Sequence, residues 1–412
     1  MKHKLLATVI VTCLIGSKLI AQVTAPEITS WIINANNATG YSGISANVQQ
    51  VKYTNTDVYV TCTCIPGYDI GPWAGNPNTP ANQNFCYKIT RNPAEKTGTK
   101  TATSLGHIGV WTNGVSIFNA KDAFSYNSAG VWNQDAYPNE GISFDECLGH
   151  PAPNGEYHHH VNPRCLYDDQ ASGVHSPIIG YAFDGYPIYG AYAYANTDGT
   201  GGITRMLSGY RLRNITDRTT LPDGTSLQAN QYGPAINNQY PLGKYLEDYE
   251  FVQGLGHLDQ YNGRFCITPE YPAGTYAYFV TIDSNQMPVY PYTVGTYYYG
   301  VVQSGNVGPQ SAHNTIPGGA VLYEPETSTG ISDNGAAVSI NVYPNPASDK
   351  LIISGAANVQ IALYDMAGKQ VIVPVTVSND NTTINVAMLD RGVYTLTAIG
   401  SNTRATQRIV LQ

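Results

Sequence analysis

Short segments in which apolar and polar residues alternate recur along most of the chain. Residues 58–64 (VYVTCTC) and 274–280 (GTYAYFV) follow this period of two and are rich in β-branched and aromatic side chains. The pattern is typical of buried or half-buried β-strands. The chain is therefore predicted to be all-β, with short strands separated by turns.

The strand pattern occurs twice in the same order. The matching pairs are 109–119 with 180–190, 144–150 with 258–264, and 155–160 with 274–279. The first pair turns through Asn113-Gly114 and Asp184-Gly185, dipeptides that strongly favour a β-hairpin. Two divergent copies of one β-unit, 105–164 and 177–284, are expected to form a duplicated β-sandwich-like domain. The second copy carries an insertion around 196–250, and a cleft between packed copies would suit a small molecule.

The two ends of the chain differ from this middle part. A basic start, a mostly apolar run from Leu5 to Ile20 and a small residue at Ala21 predict a signal peptide cleaved after Ala21. No later stretch is apolar enough to cross a membrane. The predicted segments are a signal peptide (1–21), an N-terminal β segment packed on the central domain (22–104), the central domain (105–304), a linker (305–335) and a C-terminal β-sandwich (336–412).

Composition narrows the choice of partner. Charged residues make up only 12% of the chain, aromatic residues 11%, and the formal net charge is -8. A negative chain with few cations repels phosphate backbones, so a nucleic-acid partner is excluded. A metal ion, a glycan or a small molecule fits better.

The cysteines indicate an oxidising compartment. Removing Cys13 with the leader leaves six, an even count that favours disulfides in an exported chain. Alternation along a strand places Cys62 and Cys64 on one face, so each is expected to have its own partner. A bond between Cys147 and Cys165 would close the loop that carries most of the histidines. The other candidates are Cys86 and Cys266, and fifteen pairings of the six are open.

Four of the nine histidines lie between positions 150 and 160. In a strand, His158 and His160 share a face and His159 points to the other, so His159 is expected to be a bystander. His150, in a turn between Gly149 and Pro151, can supply a third nitrogen. Three or four such donors make a copper or zinc site.

Further candidate ligands are His107, His175 and His257. Each candidate also has a plain structural interpretation. His158 and His160 would be partly exposed strand residues packed on tyrosines, His150 a turn residue hydrogen-bonded within its own loop, and the isolated histidines polar surface. Asp145 and Asp259 occur in both copies, so they are expected to cap a shared turn. No Gly-x-Ser-x-Gly elbow, phosphate-binding glycine loop or His-Glu-x-x-His helix is present, so no catalytic residue is assigned.

The C-terminal part resembles the type A sorting domain of the type IX secretion system. The motifs that carry the resemblance are 342–347 (VYPNPA), 363–369 (LYDMAGK), 389–394 (LDRGVY) and 408–411 (RIVL). The resemblance implies an Ig-like sandwich, recognition by the type IX machinery and export across the outer membrane of a member of the Bacteroidetes. The protein is then secreted or held at the cell surface.

The central part resembles the YHYH-domain family. The segments that carry the resemblance are 149–151 (GHP), 155–160 (GEYHHH), 179–190 (IGYAFDGYPIYG), 262–265 (NGRF) and 274–278 (GTYAY). His159 stands where the family motif has its second tyrosine, on the face opposite His158 and His160. The resemblance implies that the chain is a member of this family, and it assigns no biochemical activity.

Three function classes follow. The first is a surface or secreted metal-binding domain that could also be an enzyme. The second is a glycan-binding or adhesive module, and the third is a structural envelope protein.

Overall fold

The computed structural model describes residues 25–308, 311–325, 341–354, 360–365, 370–371, 375–378, 381–399 and 404–412. The chain divides into two compact units between Tyr323 and Glu324. The predicted signal peptide (1–21) lies outside the described residues. Residues 311–323, in the predicted linker, belong to the first unit, and residues 326–335 are outside the described part.

The first unit is built from short strands, as the alternating pattern predicts. They are β1 (Val48–Tyr53), β2 (Asp57–Cys62), β3 (Phe85–Thr90), β4 (His107–Trp111), β5 (Ser116–Phe118), β6 (Lys121–Ser125), β7 (Asn133–Asp135), β8 (His150–Pro151), β9 (Tyr157–His159), β10 (Ile178–Ala182), β11 (Pro187–Tyr189), β12 (Tyr192–Tyr194), β13 (Ile203–Arg205), β14 (Tyr210–Leu212), β15 (Tyr249–Phe251), β16 (Gly263–Cys266), β17 (Thr275–Phe279) and β18 (Val321–Leu322).

Helical segments in the described residues are single turns. The α-helices are α1 (Pro26–Thr29) and α2 (Ala136–Glu140), and the 3₁₀ turns are Tyr41–Gly43, Tyr126–Ser128, Gly141–Ser143, Ala229–Gln231 and Leu246–Asp248. Every helix in this part of the chain is too short and too polar to cross a bilayer.

One eight-stranded sheet contains both predicted copies, in the order β16-β17-β11-β10-β4-β5-β9-β8. The copies meet at its centre, where β4 and β10 pair antiparallel. Moving outward, β5 pairs in parallel with β9 on one side and β11 pairs in parallel with β17 on the other. The order is symmetric about the β4–β10 pair, and the two segments predicted as copies are joined edge to edge there.

The same turn occurs in both predicted copies. In the first copy the Tyr157 hydroxyl donates to Asp145 Oδ2 at 2.9 Å, and in the second the Tyr276 hydroxyl donates to Asp259 Oδ1 at 3.0 Å. Each aspartate also accepts two backbone N–H groups of its own turn. Asp145 and Asp259 therefore cap the same turn, as their occurrence in both copies predicts.

A second sheet, β18-β1-β2-β3, shares the core of the first unit with the large sheet. Val51 and Val60 from this sheet belong to the same buried cluster as Ile117 and Tyr181 from the large sheet. Three two-stranded sheets, β6-β7, β12-β13 and β14-β15, complete the unit. The α2 turn follows β7 and leads towards the histidine segment.

The second unit is a β-sandwich of two four-stranded sheets. Its strands are β19 (Asn341–Tyr343), β20 (Lys350–Ser354), β21 (Gln360–Tyr364), β22 (Gln370–Val371), β23 (Val375–Ser378), β24 (Asn381–Asn385), β25 (Gly392–Ile399) and β26 (Arg404–Leu411). The sheet orders are β19-β20-β24-β23 and β22-β21-β25-β26. Leu351, Ile353, Leu363 and Leu396 bury their side chains in its core. The all-β prediction is confirmed for both units.

Candidate metal centre

Three histidines converge at one edge of the large sheet. His150 on β8 lies directly opposite His158 on β9, and His160 follows one residue after β9 ends. One ring nitrogen of each lies within 4.8 Å of those of the other two. All three residues are buried, at 3 to 4% exposure. Alternation predicts the shared face of His158 and His160, whereas His150, expected in a turn, lies in β8.

Hydrogen bonds fix the ring protons of His158 and His160. The Nδ1 of His158 lies 3.0 Å from the Glu156 carbonyl oxygen, and the Nδ1 of His160 lies 2.6 Å from the Asn119 carbonyl oxygen. A carbonyl oxygen only accepts, so each Nδ1 carries the proton and donates it. In the neutral rings both Nε2 atoms are therefore left with a lone pair.

The same tautomer follows for His150 by one more step. Its Nδ1 lies 2.8 Å from Ser143 Oγ, and that hydroxyl donates its own proton to the Glu140 carbonyl oxygen at 2.8 Å. Ser143 therefore accepts from His150, and His150 Nε2 keeps its lone pair. Outer partners of this kind orient the histidine ligands of metal sites.

The two bare nitrogens of His158 and His160 face each other at 3.1 Å. Burial lowers the pKa of His158 well below its ordinary value and the pKa of His160 to about 4, so neither ring holds a second proton at pH 7. Burial, and then the neighbouring His160, lower the pKa of His150 to about 3. Facing lone pairs repel unless a cation lies between them. Two nitrogens on one tetrahedral zinc are about 3.3 Å apart, which is close to this spacing.

Aromatic rings line the histidine cluster. Phe118 stacks on His158 with ring centroids 3.8 Å apart, and Phe144 lies edge-on to His150 at 4.7 Å. Phe144 also lies parallel to His160 at 6.1 Å. These rings hold the imidazoles in place and keep water from their faces.

One carboxylate borders the cluster. Glu140 Oε2, at the end of α2, lies 3.3 Å from His150 Nε2 without hydrogen-bond geometry. Burial, and then Asp122, raise the pKa of Glu140 to about 8. A cation held by the histidines would favour the charged form of this group.

The remaining predicted histidines lie elsewhere. His107 contacts Glu156 and Ser311, His175 Nδ1 lies 2.7 Å from the Ser176 carbonyl, and His257 Nδ1 accepts the Leu207 N–H at 3.1 Å. None of the three belongs to the cluster that the described residues form.

His159 points away from the cluster, as alternation predicts. Its fully buried ring packs edge-on against Tyr157 at 5.2 Å and Trp111 at 6.4 Å. Burial lowers its pKa to about 4.

One of the candidate disulfides is formed. Cys147 and Cys165 are bonded, and the loop between them contains all three histidines of the cluster.

The expectation that the other cysteines pair differs from the structure. The free cysteines among the described residues are Cys62, Cys64, Cys86 and Cys266. Cys86 lies opposite Thr61 in the ladder, one position away from Cys62, so the two side chains point to opposite faces. Cys64 follows the end of β2 with a φ of 66°, which takes it out of the strand alternation.

Sequence reasoning did not find the outer partners of the cluster. Ser143, Asn119 and Glu140 come from segments far from the histidine motif or carry no motif of their own. For Glu140 and Ser143, the one sequence signal is that they lie directly before the Asp145 turn that both copies share.

Comparison with known families agrees with the fold and its two units. A family model described as YHYH protein matches residues 86–302, more than half of the chain. A second model, described as the Secretion system C-terminal sorting domain, matches residues 341–412 and indicates export by type IX secretion to the surface or the medium. No match is found among curated proteins. The chain therefore belongs to the YHYH protein family and carries a C-terminal sorting domain for export.

Proposed function

We propose that this exported protein binds one transition metal ion, copper or zinc, through Nε2 of His150, His158 and His160. The observation that carries the proposal is the 3.1 Å approach of two Nε2 atoms whose Nδ1 atoms both donate to carbonyl oxygens. Imidazole nitrogen suits both metals. The buried, neutral rings are ready to bind without first losing a proton.

Three protein ligands leave room in the coordination shell. Catalytic zinc sites combine three protein ligands with a position for water or substrate. Glu140 borders His150, and its charged form, which a bound cation would favour, would offset part of the charge of the ion. The site can therefore hold a metal for chemistry as well as for structure, and hydrolytic and redox reactions both remain open to it.

Metal analysis of the full exported chain with its disulfide formed tests the proposal. The protein is stripped with a chelator, reloaded with Cu²⁺ or Zn²⁺, and measured by elemental analysis. About one ion per chain is expected, and His158→Ala with His160→Ala should lose it. His175→Ala with His257→Ala is the matched control, because it removes two histidines outside the cluster.

Two results would contradict metal binding by this site. One is a folded parent protein that takes up neither ion. The other is a double variant at His158 and His160 that keeps the same metal content as the control. Circular dichroism of each variant establishes that the fold is retained.

A groove in the first unit favours glycan binding as the second candidate. It has a volume of about 1090 Å³ and its wall includes Tyr210, Tyr249, Tyr261, Tyr290 and Tyr297. Aromatic faces of this kind stack on sugar rings. A glycan array tests it: binding that is lost in Tyr297→Ala and kept in the His158/His160 variant supports this candidate. A protein that binds neither a metal ion nor a glycan would favour the third class, a structural envelope protein.

A further inference from the structure

A chain of three hydrogen-bonded side chains lies outside the histidine cluster. Ser311 Oγ is 2.8 Å from His107 Nε2, and His107 Nδ1 is 2.8 Å from Glu156 Oε1. The order serine, histidine, carboxylate is that of a nucleophile, its base and the group that orients the base. We propose that this trio forms a second site, separate from the metal centre, that hydrolyses esters of short acyl chains.

The carboxylate end of the trio is held firmly. Glu156 is 5% exposed, and Ser116 Oγ donates to the same Oε1 atom at 2.5 Å. The Tyr87 hydroxyl in turn lies 2.8 Å from Ser116 Oγ. An ionised carboxylate only accepts, so His107 Nδ1 carries the proton and His107 Nε2 is free to accept from Ser311.

The imidazole is held by aromatic edges. Phe85, Tyr87 and Phe183 lie nearly perpendicular to the His107 ring, with centroids 5.4, 5.6 and 5.8 Å away. His107 is 8% exposed, so the orientation of its ring is set by packing and by both hydrogen bonds. A base fixed in this way keeps its Nε2 directed at Ser311.

The serine is placed by a segment that runs beside β3. Cys86 N donates to the Ala312 carbonyl at 2.6 Å, and Asn314 N donates to the Cys86 carbonyl at 3.1 Å. Ala312, directly after Ser311, is fully buried with a φ of 62°, in the left-handed region that a residue with a Cβ seldom adopts. Such strained positions concentrate at functional sites.

All three side chains line a cavity of about 340 Å³. Phe85 and Leu105 supply apolar wall, and Gln83, Asn154 and His313 supply polar wall. This volume admits a small ester rather than a long chain, which sets the substrate class. In the proposed reaction the N–H of the His313 ring, which also lines the cavity, is the donor to the oxyanion formed beside Ser311.

The reaction balances without a further reactant other than water. Ser311 Oγ attacks the ester carbonyl carbon while His107 Nε2 takes the hydroxyl proton. The bond to the leaving alcohol breaks, and His107 gives that proton to the alcohol. Water then attacks the acyl group, His107 takes a proton from the water, and the bond to Ser311 Oγ breaks. Ser311 regains the proton and the carboxylic acid leaves.

A fluorophosphonate probe and p-nitrophenyl acetate test the site in the full chain. Labelling should map to Ser311 by mass spectrometry, and Ser311→Ala should abolish it and lower kcat/KM at least ~100-fold. The Ser311 hydroxyl has His107 as its hydrogen-bond partner, so the variant removes that hydrogen bond and leaves the other contacts of the fold in place. Ser304→Ala, an exposed serine in the same segment, is the control and should change neither result.

Glu156 acts through His107 and is tested as a positioning residue. Glu156→Gln should lower kcat with KM nearly unchanged, a split that general loss of structure would not produce. The proposal is overturned by a folded parent that shows no label at Ser311, or by equal labelling and hydrolysis in Ser311→Ala. Metal content should be equal in parent and Ser311→Ala, so the outcome is independent of the metal centre.

Discussion

The Glu156 backbone carbonyl accepts the Nδ1 proton of His158 at 3.0 Å, so one residue orients a candidate metal ligand while its carboxylate orients His107. The two contacts use different atoms of Glu156. A substitution of the side chain therefore separates the two sites, because the backbone carbonyl stays in place.

Glu156→Gln is expected to keep the metal and lose the ester hydrolysis. An amide in place of the carboxylate no longer stabilises the His107 imidazolium that forms during acyl transfer, so the rate should fall ~100-fold or more. Elemental analysis and hydrolysis of p-nitrophenyl acetate are measured on the same sample. Glu146→Gln, an exposed glutamate, is the control. Loss of metal together with activity would show that the two sites are not separable in this way.

Ser143→Ala is expected to weaken metal binding without removing a ligand. The variant leaves the Nδ1–H of His150 without its acceptor, so the ring is free to turn and its Nε2 is less well placed. Loss of such an outer partner costs about 10- to 100-fold in metal affinity. Competition with a chelator of known affinity measures the change, with Ser172→Ala as an exposed control. An affinity within twofold of the parent would remove Ser143 from the site.

The sequence predicted the parts of the site that depend on local periodicity. Alternation placed His158 and His160 on one face and His159 on the other, and the internal repeat located the turn that brings in His150. The outer contacts could not be predicted, because Asn119 reaches His160 across 41 positions of sequence and is placed only by the pairing of β5 with β9.

The group of Ser311, His107 and Glu156 could not be predicted from the sequence for the same reason. Its histidine and serine are 204 positions apart, and nothing short of the tertiary fold brings them together. The cysteine prediction failed where a local rule was broken. Alternation put Cys62 and Cys64 on one face, but the positive φ of Cys64 ends the strand pattern before it.

The Cys147–Cys165 bond is expected to stabilise both the fold and the metal centre. The bond links residues 18 positions apart, and closing a loop of this length contributes about 3 kcal/mol in the chain-entropy model. Guanidinium unfolding of Cys147→Ser with Cys165→Ser should show this loss, together with weaker metal binding, because the loop carries all three ligands. A reducing agent should reproduce the loss in the parent and have no effect in the variant. A parent whose stability ignores the reductant would contradict the assignment.

Asp135→Asn is expected to make the free energy of unfolding less sensitive to rising pH. Asp135 caps α2 by accepting the Tyr137 N–H and also accepts the Tyr292 hydroxyl at 2.7 Å. Burial raises its pKa from 3.8 to about 8. Between these values the folded state holds a proton that the unfolded state has lost, so stability falls as pH rises, by roughly 1.4 kcal/mol per pH unit from this group. Asparagine has nearly the same shape as aspartate but does not ionise.

Urea unfolding from pH 5 to pH 8 should therefore show the free energy of unfolding of the variant rising relative to that of the parent at each step. Asp198→Asn, at a fully exposed carboxylate whose pKa is lowered by Thr200, should follow the parent throughout. Parallel curves for Asp135→Asn and the parent would mean that Asp135 is already charged in the folded protein at pH 5.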